Sequence, residues 1–256
     1  MNAKRYKKNA KNSYILYLVL IIFIGLLIYS GYNIVEWKFN NDKNRQIKEE
    51  TSQYVTIVQE ETANNETQNK IRVDFIALKQ RNPDVVAWIK INNTQIDYPV
   101  VQGKDNSYYL THNMDKEYNK AGWIFLDYRN ELNENDKNTV IYGHNMKTDL
   151  MFGTLKNVLT DEWNENIENR HITLITEQET QVYEVFSIYE IEEEEYSIKI
   201  DFKNAEEYLT FLNTIKQRSI KNFNVELTTE NRILTLSTCT NDSYHRLVVH
   251  AKKLEN

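Results

Sequence analysis

The chain has 256 residues, of which 41% are hydrophobic and 12% aromatic, enough to bury the core of one domain with appendages. Five of its 31 Lys and Arg residues lie within residues 1–13, so the remainder carries 26 basic and 37 acidic residues, a net charge of −11. An acidic body of this kind argues against a nucleic-acid partner, because phosphate binding needs a basic surface.

A long apolar run follows the basic N-terminus. Residues 14–35 form a 22-residue uncharged stretch, which as a helix reaches roughly 33 Å, close to the hydrocarbon thickness of a bilayer. A cleaved signal peptide is the alternative, but its apolar region is normally about 7–15 residues and ends in a small-x-small site. The run is longer and ends at Tyr29-Ser30-Gly31-Tyr32. We therefore predict a transmembrane anchor at 14–35, with the basic segment 1–13 in the cytoplasm and residues 36–256 outside the cell membrane.

The texture of the sequence changes twice after the anchor. Residues 36–70 are rich in Asn, Gln, Glu, Lys and Thr and contain no Gly or Pro, which predicts a solvated polar stalk. From Ile71 onwards the chain shows short β-rich runs separated by turn residues. We expect a catalytic domain over 71–256.

Eight short runs in this domain have the composition of strands, which predicts a closed barrel or a sandwich. They are Trp88–Ile91, Tyr98–Val101, Trp123–Asp127, Thr139–Tyr142, His171–Ile175, Val182–Ile191, Arg232–Thr238 and Leu247–Ala251.

Two segments show helical spacing instead. Asp149 is a candidate cap for a helix that carries Phe152, Leu155 and Leu159, and Asn204 with Glu207 three residues later resembles a capping box. The second helix is predicted to run for about four turns.

Cys239 is the single cysteine of the chain, so an exported domain cannot use it for an internal disulfide. It ends the strand-like run 233–239, and His144 follows the strand-like run 139–142 in the same way. Arg246 lies seven residues after Cys239. If the strands around the intervening turn pair in antiparallel fashion, Cys239 and Arg246 come close to each other.

Together these three residue types can perform acyl transfer. A thiol is a strong nucleophile, His can carry a proton near neutral pH, and Arg keeps its charge and can stabilise an oxyanion. Taken singly, each has a commoner structural explanation: a buried small side chain, a turn residue and a solvated edge charge. The combination with an export anchor points to a cysteine acyl transferase or protease.

Several motifs resemble the sortase family. Thr235-Leu236-Ser237-Thr238-Cys239 is similar to the Thr-Leu-x-Thr-Cys signature, and Tyr142-Gly143-His144-Asn145 to the histidine motif of that family. The closing strand 246–252 and the stretches 82–89, 96–106 and 122–130 are similar to class B sortases in particular, as is a helix placed before the cysteine strand. The resemblance covers roughly residues 71–252.

This resemblance implies a mainly β fold, an eight-stranded sortase-type barrel with added helices. It assigns Cys239 as nucleophile, His144 as proton carrier and Arg246 as oxyanion stabiliser. We also expect substrate contacts from the side chains Thr238, Ser237, Asn145 and Ser243. The turn after the cysteine is short, which leaves open whether Asp242 or Ser243 orients the site, and His245 is a competing base.

The implied enzyme is a transpeptidase of Gram-positive bacteria. It would cleave an Asn-Pro-x-Thr-like C-terminal sorting signal of exported proteins, hold the product as a thioacyl, and join it to a peptidoglycan amine. No metal or cofactor is expected, since the remaining histidines lack metal-ligand spacing. The alternatives are a hydrolytic cysteine protease, a pilin-polymerising sortase and a non-enzymatic anchored binding module.

Overall fold

The N-terminal apolar run forms a helix in the computed structural model, which describes residues 3–61, 67–192, 196–239 and 245–255. This helix, α1, spans Ala3–Ser52. From Tyr14 onwards it contains a window of mean hydropathy 2.4 whose side chains are not buried, and it is long enough to cross a membrane. The contacts between residues divide the chain into two compact units, Met1–Lys43 and Asn44–Asn256.

The predicted stalk differs from the structure. The last turns of α1 from Asn44 belong to the same unit as the barrel, and Asn44, Ile47 and Thr51 are fully buried there. The polar composition of residues 36–70 predicted a solvated segment. Asn44, Ile47 and Thr51, however, are spaced three and four residues apart, so they lie on one face of the helix, and that face is buried. A hairpin follows, in which β1 (Val55–Glu61) pairs with β2 (Thr67–Val73).

Eight further strands form a closed barrel, which confirms the eight-stranded barrel predicted from the sequence. A short helix, α2 (Phe75–Arg81), precedes the first of them. The strands are β3 (Val85–Ile91), β4 (Asp97–Val101), β5 (Phe125–Leu126), β6 (Asn138–His144), β7 (His171–Ile175), β8 (Thr180–Glu192), β9 (Ile233–Cys239) and β10 (His245–Lys253). Around the barrel their order is β10-β8-β7-β3-β4-β5-β6-β9.

Most neighbouring strands are antiparallel, but β4 runs parallel to β5 and β6 runs parallel to β9. Every residue of β6 is buried, so both faces of this strand are covered. A parallel pair cannot be joined by a tight turn, and the long connection between β6 and β9 holds β7, β8 and two helices. These helices are α3 (Asp161–Glu165) and α4 (Ala205–Gln217).

The helix before the cysteine strand forms as the sequence predicts. The Asn204 side chain accepts a hydrogen bond from the Glu207 amide and caps α4, whose buried face carries Tyr208, Phe211, Leu212 and Ile215. This face packs on the barrel.

The other predicted helix is different. Asp149 caps no helix, and residues Leu155–Leu159 form only a 3₁₀ turn. The cause lies at Met151, which has a left-handed backbone (φ 52°) and forms an isolated bridge with Asn145. A right-handed helix cannot continue through such a residue.

Candidate functional site

Strand pairing brings His144 and Cys239 together. The parallel register of β6 and β9 runs from Asn138↔Ile233 to His144↔Cys239, so both residues end their strands at the same edge of the barrel. They are 95 positions apart in the sequence, and only the fold makes them neighbours.

Arg246 lies on the other side of the cysteine strand. The antiparallel register of β9 and β10 reaches Val248↔Ser237, and continuing it by two residues aligns Arg246 with Cys239. Between these positions, the Leu247 amide donates to Thr238 Oγ1 at 2.9 Å, which keeps the strands together. The structure therefore pairs His144 with Cys239, and it places Arg246 on the strand that neighbours the cysteine strand, where continued pairing would align the two residues.

Part of this edge lies outside the described residues. Residues 240–244 are not described, so no position is given for the predicted orienting residue Asp242 or for Ser243. The side chains of Cys239 and His245 are likewise outside the described part of the chain.

The His144 imidazole is held in one orientation. It is 5% exposed, and its Nε2 lies 2.8 Å from the carbonyl oxygen of Leu110. A carbonyl can only accept, so the proton of the neutral ring sits on Nε2. This leaves Nδ1 as the atom that can take up a proton, which suits a residue that exchanges protons with a nucleophile and a leaving group.

A glycine packs against the same ring. Gly122 has φ +56°, and a Cβ placed on it would lie 2.6 Å from the Tyr109 oxygen, 2.7 Å from the Leu110 oxygen and 2.9 Å from His144 Cδ2. Only glycine fits this turn, which we call the His144 cradle and define as residues 109–123. Sequence reasoning missed it. The signal available in the sequence was that the chain has only six glycines, which makes each of them a candidate for a position that requires glycine.

The predicted substrate contacts fall into two groups. Ser237 and Thr238 are fully buried, and Thr238 accepts from a backbone amide, so neither side chain is open to a peptide in this structure. Ser237 Oγ has no hydrogen-bond partner among the described residues. Asn145 is exposed beside His144 and remains available.

A groove of about 660 Å³ lies near these strands. It is lined by Asn106, Tyr128, Arg129, Tyr196, Ile198, Lys199, Ile200 and Asp201. A second cavity of about 680 Å³ includes Arg232, which precedes β9 at the end away from Cys239, so we do not associate it with this chemistry.

Asp127 forms hydrogen bonds with two residues that line this groove, Asn106 and Arg129. Its buried carboxylate accepts hydrogen bonds from Asn106 Nδ2 and Tyr142 Oη, both at 2.8 Å, and from Arg129 at 2.8 and 2.7 Å. Burial raises the pKa of Asp127, but the hydrogen bonds, those from Arg129 foremost, outweigh burial and hold this pKa below its usual range. Tyr142 pairs with Ser237 in the β6–β9 register, which places the groove next to the cysteine strand.

Two other histidines, His250 and His112, pack against neighbouring side chains. His250 is fully buried, with Nε2 2.8 Å from Tyr189 Oη and Nδ1 2.8 Å from Thr235 Oγ1. Burial foremost, and then the charge of Arg218, lower its pKa to about 3, so it is neutral. His112 stacks on Tyr108 with ring centroids 4.0 Å apart. Among the described residues, no group of three His, Cys, Asp or Glu side chains could hold a metal ion.

Comparison with known proteins identifies the family. The family description "Sortase domain" matches residues 89–254. The Sortase B of Listeria monocytogenes serovar 1/2a is 35% identical over 237 residues, 91% of this chain and 94% of that protein. The Sortase B of Staphylococcus aureus strain NCTC 8325 is 34% identical over 239 residues, 92% of this chain and 95% of that protein.

Solved structures agree. Sortase B from B. anthracis in complex with AAEK1 matches with a TM-score of 0.74 at 37% identity, covering 85% of this chain and 99% of that one. Sortase B from Clostridium perfringens matches with a TM-score of 0.66 at 40% identity, covering 71% of this chain and all of that one.

Proposed function

This chain belongs to the sortase family, in class B, and we propose that it cleaves a C-terminal sorting signal of exported proteins through Cys239 and transfers the product to a cell-wall amine. The observation that supports the proposal is the register at one barrel edge, where His144 pairs with Cys239, and the neighbouring antiparallel pairing of β9 with β10, the strand that carries Arg246. By resemblance, the signal is Asn-Pro-x-Thr-like and the acceptor belongs to peptidoglycan.

The proposed reaction has two halves. The Cys239 thiolate attacks the carbonyl carbon of the signal's threonine, and Arg246 donates hydrogen bonds to the resulting oxyanion. Protonated His144 gives its Nδ1 proton to the departing amine as the C–N bond breaks, which leaves a thioester on Cys239. An incoming amine then attacks the thioester, gives a proton to His144 and releases the thiolate as the new amide forms.

The groove tied by Asp127 is the proposed binding surface for the peptide. It combines apolar side chains such as Ile198 with polar groups such as Asn106, which suits a short extended peptide of mixed polarity. The buried residues Ser237 and Thr238 are not part of this surface, and Asn145 stays a proposed contact.

We further propose that α1 anchors the enzyme as a single-pass membrane protein. Its apolar stretch is long enough to span a bilayer, and the basic residues before it favour a cytoplasmic N-terminus. The catalytic unit then faces the cell wall, where both exported proteins and peptidoglycan amines are found.

Product analysis tests the proposal. The full chain in detergent is incubated with Asn-Pro-x-Thr-containing peptides, with and without an amine nucleophile, and the products are identified by mass spectrometry. We expect an amide product that depends on the amine and disappears in Cys239→Ala and His144→Ala. Hydrolysis that added amine does not redirect would favour the protease alternative, and a pilin lysine as the preferred acceptor would favour the polymerising alternative. Turnover by Cys239→Ala would refute the mechanism.

A further inference from the structure

Asn44 is a fully buried polar residue near the C-terminal end of α1. Its Nδ2 donates to the carbonyl oxygen of Gly122 at 3.0 Å, and its Oδ1 accepts from Asn119 Nδ2 at 2.9 Å. A helix outside the barrel is thus bonded to the His144 cradle through both ends of one amide. Nothing in the proposed reaction uses this residue.

The bonded turn is the one that fixes the catalytic imidazole. Asn119 accepts from the Gly122 amide through its backbone carbonyl at 2.9 Å and from the Ala121 amide through its side chain at 2.9 Å. Gly122 contacts the ring of His144, and the Leu110 carbonyl accepts from Nε2 of that ring. Asn44 is therefore hydrogen-bonded to the turn whose Gly122 lies against the imidazole.

We propose that Asn44 is a positioning residue for His144, acting through Asn119 and Gly122 to hold the imidazole where it can exchange a proton with Cys239. The inference rests on the proposed function, because it assumes that His144 is the proton carrier. Loss of Asn44 leaves the Gly122 carbonyl without this partner in a buried place, and such a group regains a partner only by moving. A shift of this turn moves the ring, and a misplacement of about 1 Å in a reacting group can cost about a hundredfold in rate.

The matched control lies one helical turn further on. Lys48 follows Asn44 by four residues, and its Nζ donates to the Gln95 carbonyl oxygen at 2.6 Å, a contact with the barrel away from the cradle. Lys48→Met removes a hydrogen bond of the same helix face without touching the turn at Gly122. Asn44→Leu keeps approximately the side-chain volume and removes both hydrogen bonds.

The experiment compares these two variants in the full chain. The measurements are kcat and KM for transpeptidation, the pH profile of kcat/KM, and the pH dependence of Cys239 alkylation by iodoacetamide. For Asn44→Leu we expect kcat to fall on the order of ten- to a hundredfold with KM changed about twofold at most, and both pH profiles to shift. Lys48→Met is expected to keep the kcat and pH profiles of the unaltered enzyme.

Either of two results overturns the inference: kcat and pH profiles of Asn44→Leu that match the unaltered enzyme, or the same losses in both variants. Where Leu is not accommodated, Asn44→Ala serves, since alanine is a strong helix former. A failure of the proposed function is distinguishable, because the unaltered chain would then form no amide product. Alkylation of Cys239, the single cysteine, still reports on its neighbouring imidazole in that case.

Discussion

Gly122→Ala probes how closely the His144 cradle fits. The new Cβ would lie 2.6 and 2.7 Å from two carbonyl oxygens, so the backbone has to move by about 0.3–0.4 Å to bring these distances to 3.0 Å, below which Cβ contacts are essentially never seen. The left-handed conformation of Gly122 costs a further 1–2 kcal/mol or so for any L-residue. With overpacking of about 1–3 kcal/mol, we expect the free energy of unfolding to fall by about 2–5 kcal/mol.

The same substitution should reduce turnover more than stability alone explains. The Cβ would also meet His144 Cδ2 at 2.9 Å, so relief of the contact displaces the imidazole. We expect kcat to fall about tenfold or more under conditions where the variant is fully folded. Urea denaturation gives the stability, and steady-state transpeptidation gives kcat.

Gly103→Ala is the control. Its Cβ would meet nothing closer than 3.2 Å, and Gly103 has no left-handed backbone. It should change stability by less than about 1 kcal/mol and leave kcat unaltered. If Gly122→Ala proved as mild as this control in both measurements, the reasoning about the cradle would be refuted.

Three further predictions concern the barrel and its edge. A protein of residues 71–256 should be less stable than one of residues 44–256 by about 3 kcal/mol or more in urea melts, because it lacks the buried Ile47 and the hydrogen bonds made by the C-terminal end of α1. Equal stability of the two proteins would show that this end of α1 does not stabilise the barrel. Asp127→Asn should lose about 2–3 kcal/mol at pH 7, less than the roughly 3–5 kcal/mol of a fully buried broken pair, because Arg129 is 36% exposed and solvent screens the pair. The pKa of Asp127 in the folded protein lies below its unfolded value near 3.9, so its contribution to the free energy of unfolding is complete above about pH 3.9 and is lost as pH falls through the folded pKa. The difference in unfolding free energy between the unaltered protein and Asp127→Asn should therefore narrow below about pH 4. A difference that stays constant over this range would refute the reasoning. Arg246→Ala should lower kcat about a hundredfold with partial rescue by Arg246→Lys, and a near-normal rate would transfer the oxyanion role to backbone amides.

Local patterns in the sequence were sufficient for much of the fold. Each of the eight strand candidates overlaps a barrel strand, although only Phe125–Leu126 of the predicted Trp123–Asp127 forms one, because each is a short β-branched or aromatic run between turn residues. The cap at Asn204 also follows from local chemistry. The antiparallel pairing of β9 with β10 is also predictable, since only six residues separate Cys239 from Arg246 in the sequence, and the proximity of these two residues stays a prediction. The motif resemblance to class B sortases is confirmed by the family match and the relatives.

Other features depend on tertiary structure. The partnership of His144 with Cys239 arises from a parallel pairing between distant strands, which no local pattern encodes; motif resemblance alone suggested it. The burial of Ile47 and Asn44 depends on the tertiary contacts of α1. The polar composition of this segment gives no indication of those contacts. The role of Gly122 follows from its left-handed φ, and the broken helix near Asp149 from the left-handed φ of Met151.

The parallel pairing of β6 with β9 also bears on how the enzyme matures. Closing a loop between residues 95 positions apart is entropically costly, and a parallel pair gains nothing until the intervening strands are in place. We therefore expect His144 and Cys239 to meet only when β9 pairs with β6 and the barrel closes. If the proposed function and anchoring hold, we expect a chain whose barrel has not closed to carry an ordinary thiol rather than an assembled acyl-transfer site.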